Sequence, residues 1–553
     1  MRTHPFRGRL GSPQLLAFFV LALCPALLAG RALAVPGVGF PYRVASGEVT
    51  STSAVLWTRV DTKTPIKAEV ATDPFFHGSK AFKQEVMPSP AQDLTIRVRA
   101  TGLEPATTYY YRFRHGSAQS AVGTFRTAPA AASAADVSFA FSADSDYLHQ
   151  FVDGNTFQVL DAVRSEPGLD FFVYLGDTIY SDSSLRPLFG LSPAAVTLNE
   201  YRDVYRSTRA LSALQKLLQS VSTYAVADDH EVQNDYDGQT VDPTRYANGR
   251  QAFTEYMPLL EDVLPADPTC AGAPLYRTFR WGSEVDVFVL DERSCRSADV
   301  QAACATSPFT VDLAPTLPPA IRGVFRAQLL GAGVPLAQVD LLLPAAAAPA
   351  CLAAIGSPAR TVLGPVQKAA LKAALQASTA PFKVIVNEYP IQQFWALPYD
   401  RWEGYAAERG ELLAHIRDFV SGRVLFVTTD THANLINTQV AVDRLGGGIL
   451  PLPVATEVVA GPIATFTFEQ ELGAFAAGLG LPPAFVVASL HQLFSIGGVQ
   501  CRNINVDAYA RVDVSASAGT ATVAVKNASG SPVLNSNPFD PFNLAACALT
   551  IGP

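Results

Sequence analysis

Five apolar runs in this chain end in the same way, and that repeated ending limits the fold more than any other feature. FAFSADSD, VYLGDTIY, YAVADDHE, VIVNE and RVLFVTTDTH each pass from continuous apolar residues directly into Asp, Asn, Glu, Tyr or His. Runs this apolar, without polar alternation, belong to strands covered on both faces, and so to a layered α/β core. Between them lie segments such as GPVQKAALKAALQAS, residues 364–378, in which apolar residues recur at helical spacing. Open α/β sheets bind ligands beyond the carboxyl ends of their strands. The endings are therefore expected to meet at one site: Asp144 and Asp146, Asp177 and Tyr180, Asp229 and His230, Asn387 or Glu388, and Asp430 and His432.

Such a meeting has an electrostatic cost. VADDHEVQND, residues 226–235, places five ionisable side chains in ten positions of a chain that is 16% charged. Two like charges ~4 Å apart repel by roughly 4 kcal/mol even at an effective dielectric near 20, so several carboxylates together need protons or cations. Asp, Glu, Tyr and His suit hard metal ions. Taken singly, an Asp after a strand is an ordinary helix cap and a lone His an ordinary buried side chain. Five such endings in a chain with eight histidines are more than capping explains.

The rest of the chain organises around that core. Residues 36–128 alternate polar and apolar side chains in short runs (AVLWTRV, LTIRVRAT, TYYYRFRH) separated by Gly, Pro, Asp or Ser, the pattern of an all-β sandwich similar to fibronectin type III domains. Residues 129–136 read as a linker and 137–553 as the α/β domain. An Ala/Pro-rich insertion or lid at about 300–360 is bracketed by Cys304 and Cys351, residues 470–497 read as buried helix, and a C-terminal hairpin closes the sheet.

Residues 1–34 have the marks of a secretory signal: Arg2, Arg7 and Arg9, the run LLAFFVLALCPALLA, and Ala32-Leu33-Ala34 as a cleavage site. Six cysteines follow it, an even number that fits up to three disulfides in an exported protein, with the pairing left open. The net charge of −8 becomes −12 once the leader's four arginines are removed. So acidic a chain has no electrostatic attraction to nucleic acid or to an anionic membrane. Exported, with no stable membrane association, is the expected state.

The motifs GDTIY (176–180), ADDHE (227–231) and TDTH (429–432), with LGPVQKAALKAAL, VIVNEYPI, DRWEGYAAER and the leading VASGEVTSTSAVLWTR, make the chain resemble the calcineurin-like metallophosphoesterases, and within them the alkaline phosphatase D-like family. The resemblance implies two or more metal ions, Fe(III) with Ca, Mn or Zn, held by Asp144, Asp146, Asp177, Tyr180, Asp229, Glu388, Asp430 and His432. Asp177 would bridge and Tyr180 would bind Fe(III). Asp144 falls where the family has a cysteine ligand, which shifts preference toward oxygen-loving ions. The resemblance further implies hydrolysis of small phosphate monoesters or diesters by a metal-activated hydroxide, with His230 as proton donor and Asn234, Arg401 and Arg409 orienting substrate. Asp228 and Glu231 are read as supporting or capping residues. Two rivals are a phosphatase using Ser145 as nucleophile and a non-enzymatic secreted binding protein on a degenerate metal core.

Overall fold

The computed structural model describes residues 39–260, 264–265, 267–307, 310–442, 452–536 and 544–552. The leader reading, 1–34, lies outside the described residues. Six strands position the site: β1 (Val137–Ser142), β2 (Phe171–Leu175), β3 (Ser222–Val226), β4 (Val285–Val289), β5 (Phe382–Val386) and β6 (Arg423–Thr428). β1, β2 and β3 are adjacent and parallel in a nine-stranded sheet. β4, β5 and β6 are adjacent and parallel in a seven-stranded sheet.

The two sheets face each other. Alternation along each strand decides which side chains fill the gap between them. In β2, Phe171, Val173 and Leu175 point inward to meet Val287, Val384 and Val427 of the other sheet, in one buried cluster. The alternate residues Phe172 and Tyr174 point outward, onto helices Gln158–Ser165, Leu198–Arg209 and Ser212–Ser220. On the far side, Phe288, Ile385 and Phe426 pack on helices Gly364–Ala377 and Ala406–Phe419. The order is helix, sheet, sheet, helix, which explains why these strands are apolar along most of their length on both faces. At roughly 25 cal/mol per Å² of buried apolar surface, it is burial on both faces that makes the fold favourable.

The leading β-rich region is continuous with this core. Val44–Gly47 pairs in parallel with β3 through Gly47 and Thr223, and Ser53–Arg59 and Thr95–Thr101 extend the same nine-stranded sheet. Gly47 allows the approach, because a Cβ there would lie 2.6 Å from the Thr223 carbonyl oxygen. A separate five-stranded sheet, built on Ile66–Ala71 and Thr108–His115, packs into the common core through Val70, Tyr111 and Phe113.

At the opposite edge, the hairpin Ala508–Ser515/Thr520–Asn527 pairs with β1, and Ala548–Ile551 adds one more strand outside it. The segment 470–497, expected as buried helix, is two helices, Phe468–Gly478 and Pro483–Gly497, with a turn between them, and only part of each is buried because one face meets solvent. Among the described residues the insertion carries the helices Pro319–Gly331, Leu336–Leu342 and Pro349–Ile355, and the six cysteines pair as Cys270–Cys295, Cys304–Cys351 and Cys501–Cys547. Among the described residues, no helix is long and apolar enough to cross a membrane.

Candidate metal centre

Beyond the ends of β1, β2 and β6 the chain turns sharply, and the turns are strained. Asp144, Asp177, Asp430 and His432 have φ of 61°, 42°, 64° and 49°, and Asp235 has 55°. Non-glycine residues rarely adopt this left-handed region, which costs of order 1–3 kcal/mol each and clusters where function requires it. The turns aim donors inward. The ligand atoms of Asp144, Asp177 and His432 lie within 4.8 Å of one another, as do those of Asp177, Asp229 and His230, and those of Asp228, Asp229 and Asp430. Asp177 belongs to the first two groups and Asp229 to the last two, so the groups form one chain of donors across both sheets. A further group, Asp267 with Cys270 and Cys295, has its two sulfurs spent on a disulfide.

At one end, the Tyr180 hydroxyl lies 2.9 Å from His432 Nε2, while His432 Nδ1 lies 2.9 Å from Glu471. Asp144 accepts a hydrogen bond from Thr429 on Oδ2, leaving its buried Oδ1 without one. At the other end, Glu388 Oε2 and Asp228 Oδ2 are likewise buried without a hydrogen bond. Buried polar oxygens are normally satisfied, so the orphans of Asp144 and Glu388 fit a cation-binding role, while Asp228 already has the Arg293 guanidinium on its other oxygen. Burial, compounded by neighbouring carboxylates (Asp229 and Asp228 for Asp177, Asp228 and Asp400 for Asp430, Asp228 and Glu292 for Glu388), holds these three acids well above the usual carboxylate range. Cations relieve that repulsion directly.

His230 stands at the mouth of the cluster. Its backbone N–H donates to Asp177 at 3.1 Å and Asp229 at 2.8 Å, its Nδ1 lies 2.6 Å from Asp182, and its ring stacks on Tyr180 with centroids 4.0 Å apart. Burial pulls the imidazole pKa down, but Asp229 and Asp182 overcome it and raise it to about 10. Glu231 is fully enclosed and accepts the N–H groups of Asp177, Thr178 and Asp228, tying the loop after β2 to the loop after β3.

Other expected site residues are placed differently. Asp146 stays out of the close groups among the described residues: its carboxylate accepts the Leu148 N–H at 2.9 Å and the Ser183 hydroxyl. Arg409 is buried and donates to the carbonyls of Ile391, Ala441 and Val442. Arg401 is turned onto the carbonyls of Ala396 and Leu397, over the Phe394 ring. Both arginines hold backbone in place. Asn234 is exposed at the rim, where its amide donates to Asp235. Asn387 is satisfied by Tyr389, Thr428 and Trp402, which leaves Glu388 as the donor at the end of β5. Ser145 is fully buried and bonded to Tyr174 and the Asp177 carbonyl, closed off from any role as an exposed nucleophile.

Sequence reasoning missed Asp182, Arg293 and Asp400. Asp182 had a signal, lying two residues beyond Tyr180. Arg293 lies in DERSCR, four residues beyond the end of β4, where no strand-end donor motif marks it.

Two facing mixed sheets flanked by helices, with Asp and His gathered at the strand ends, define a metallophosphoesterase-like architecture. Comparison with known proteins is consistent with it: residues 139–495 match the PhoD-like phosphatase family model and residues 29–129 match the model of that family's N-terminal domain. The chain belongs to the PhoD-like phosphatase family. It is 30% identical over 433 residues to alkaline phosphatase D of Bacillus subtilis (strain 168), an alignment covering 71% of this chain and 64% of that relative, just under two thirds of its length. A solved structure of PhoD superimposes with a TM-score of 0.68 at 24% identity, covering 93% of this chain and 89% of the other.

Proposed function

We propose that the chain is an exported, metal-dependent phosphoric ester hydrolase acting on small-molecule phosphate monoesters or diesters. The observation that carries this reading is the double membership of Asp177, which stands with Asp144 and His432 on one side and with Asp229 and His230 on the other. Asp144, Asp177, Tyr180 and His432 would hold one ion, and Asp177, Asp229, Asp430 and Glu388 a second. An oxygen-rich set with one imidazole suits Fe(III) with Ca, Mn or Zn. When bound, such ions supply Lewis acidity and lower the pKa of water from about 15.7 toward 7.

The chain's own groups do the rest. Asp182 fixes the tautomer and direction of His230 by taking up Nδ1, which leaves the other ring nitrogen to deliver a proton to the departing ester oxygen, a contribution of roughly 10² to 10⁴ fold. The Tyr180 ring holds the imidazole from one face. Three disulfides support export, since such bonds persist in oxidising compartments.

The test is release of nitrophenol from p-nitrophenyl phosphate and from bis(p-nitrophenyl) phosphate, before and after chelation. Hydrolysis that disappears with chelator, returns with divalent ion and is lost in His230→Ala is the expected result. Full activity in metal-stripped protein would remove the reading.

A further inference from the structure

Arg293 lies inside the acid cluster rather than beside it. Its Nε donates to Asp228 at 2.6 Å, and its Nη1 and Nη2 to the two Asp400 oxygens at 2.9 and 3.1 Å. Its Nη2 also lies 3.7 Å from both Asp229 and Asp430, and its Nε 3.9 Å from Glu388. The side chain is 1% exposed, so it is sealed from substrate. Arg296 reaches the same Asp400 carboxylate. A guanidinium stays protonated under all ordinary conditions, and the two-pronged contact with Asp400 fixes its plane.

Arg293 borders two trios of carboxylates, Asp228–Asp229–Asp430 and Asp229–Asp235–Asp400, each close enough to share a cation. Asp430 and Asp400 are 21% and 26% exposed, so an ion has a way in. We propose that Arg293 is a resident counter-ion: it neutralises Asp228 and Asp400, keeps them out of the metal-binding set, and limits this end of the site to the ion held by Asp229 and Asp430. The inference rests on the metal-dependent reading above. Arg293 is on this account a positioning residue that sets how many ions the cluster takes.

The experiment counts ions. The full chain is stripped with chelator, dialysed against Mn²⁺, and its bound manganese measured by atomic emission, with circular dichroism as a check on folding. Arg293→Met is expected to bind about one more Mn²⁺ per chain than the unaltered protein, because the buried Asp228 loses its cationic partner, Asp400 keeps only Arg296, and the unbalanced charge recruits a cation; Arg293→Lys is expected to restore the original count. A folded Arg293→Met variant with an unchanged or reduced count overturns the proposal. Should that variant not fold, Asp400→Asn decides: an unchanged count supports Arg293 as the partner that keeps Asp400 out of the ion set, and a reduced count overturns it. An unaltered protein that takes up no manganese would instead sink the metal-dependent reading itself.

Discussion

His230 owes its orientation to one carboxylate, Asp182, whose other oxygen accepts the Asn234 N–H. Replacing Asp182 with Asn keeps the shape and removes the charge. Such outer partners are worth roughly 10- to 100-fold when they steady a working histidine, and Asp182→Asn is expected to lower kcat by that order. The charge adds a second signature. Asp182 raises the His230 pKa, so its removal lowers it, and the alkaline limb of the kcat profile should move to lower pH. A loss that is the same at every pH would count against a role acting through His230. At this scale the sequence was readable wherever a donor sits directly at a strand end, as Asp177, Asp229, Asp430 and His432 do. It was unreadable where identity depends on a distant partner. Arg293 and Asp400 are 107 residues apart and find each other only in three dimensions, while Asp146 carries a ligand-type side chain that a local N–H and Ser183 capture first.

Between elements, the loops after β2 and β3 act as a unit because Glu231 binds both. Glu231→Ala leaves three buried N–H groups without an acceptor, at roughly 1–3 kcal/mol each. The expected outcome is a loss of several kcal/mol in denaturant unfolding together with loss of metal binding. Gly176, at the turn out of β2, makes the same point sterically: its φ is +87°, and a Cβ there would lie 2.6 Å from Asp228 Cβ. Gly176→Ala is expected to cost roughly 1–3 kcal/mol from backbone strain alone, and to displace Asp228 from Arg293. A crystal structure of the variant with Asp228 unmoved would contradict this. Element type and core direction were legible from apolar continuity. That the leading strands enter the core sheet was not, because the alternating pattern of an edge strand is the same in a separate sandwich as in an extension of a larger sheet.

Over the whole molecule, buried acids make stability depend on pH in one direction. Burial raises Glu231 from its usual 4.5 to about 7, Glu292 to about 8, and Asp507 from 3.8 to about 7. The folded chain keeps these protons while the unfolded chain releases them, so stability falls as pH rises from the unfolded values through about 8. His230 and His432 act the same way, their stabilising charge being present below the usual 6.5 and lost as pH rises through about 9 to 10. The lowered carboxylates Asp229, Asp182 and Asp400 have their contribution in place above the usual 3.8. The melting temperature of metal-stripped protein is therefore expected to fall from about pH 5 to about pH 9, and added Mn²⁺ to raise it most at the alkaline end. Scanning calorimetry across that range, with a rising trend as the contrary result, checks it.

The parallel contact between Gly47 and Thr223 also sets a timetable for synthesis. At 5–20 residues per second, roughly 10–35 s separate the emergence of the first partner from that of the second. Until then the early strands wait with one hydrogen-bonding edge open, a template for association with other chains. This protein cannot finish its front before its middle exists, so its yield in any host will depend on what shelters that edge in the interval.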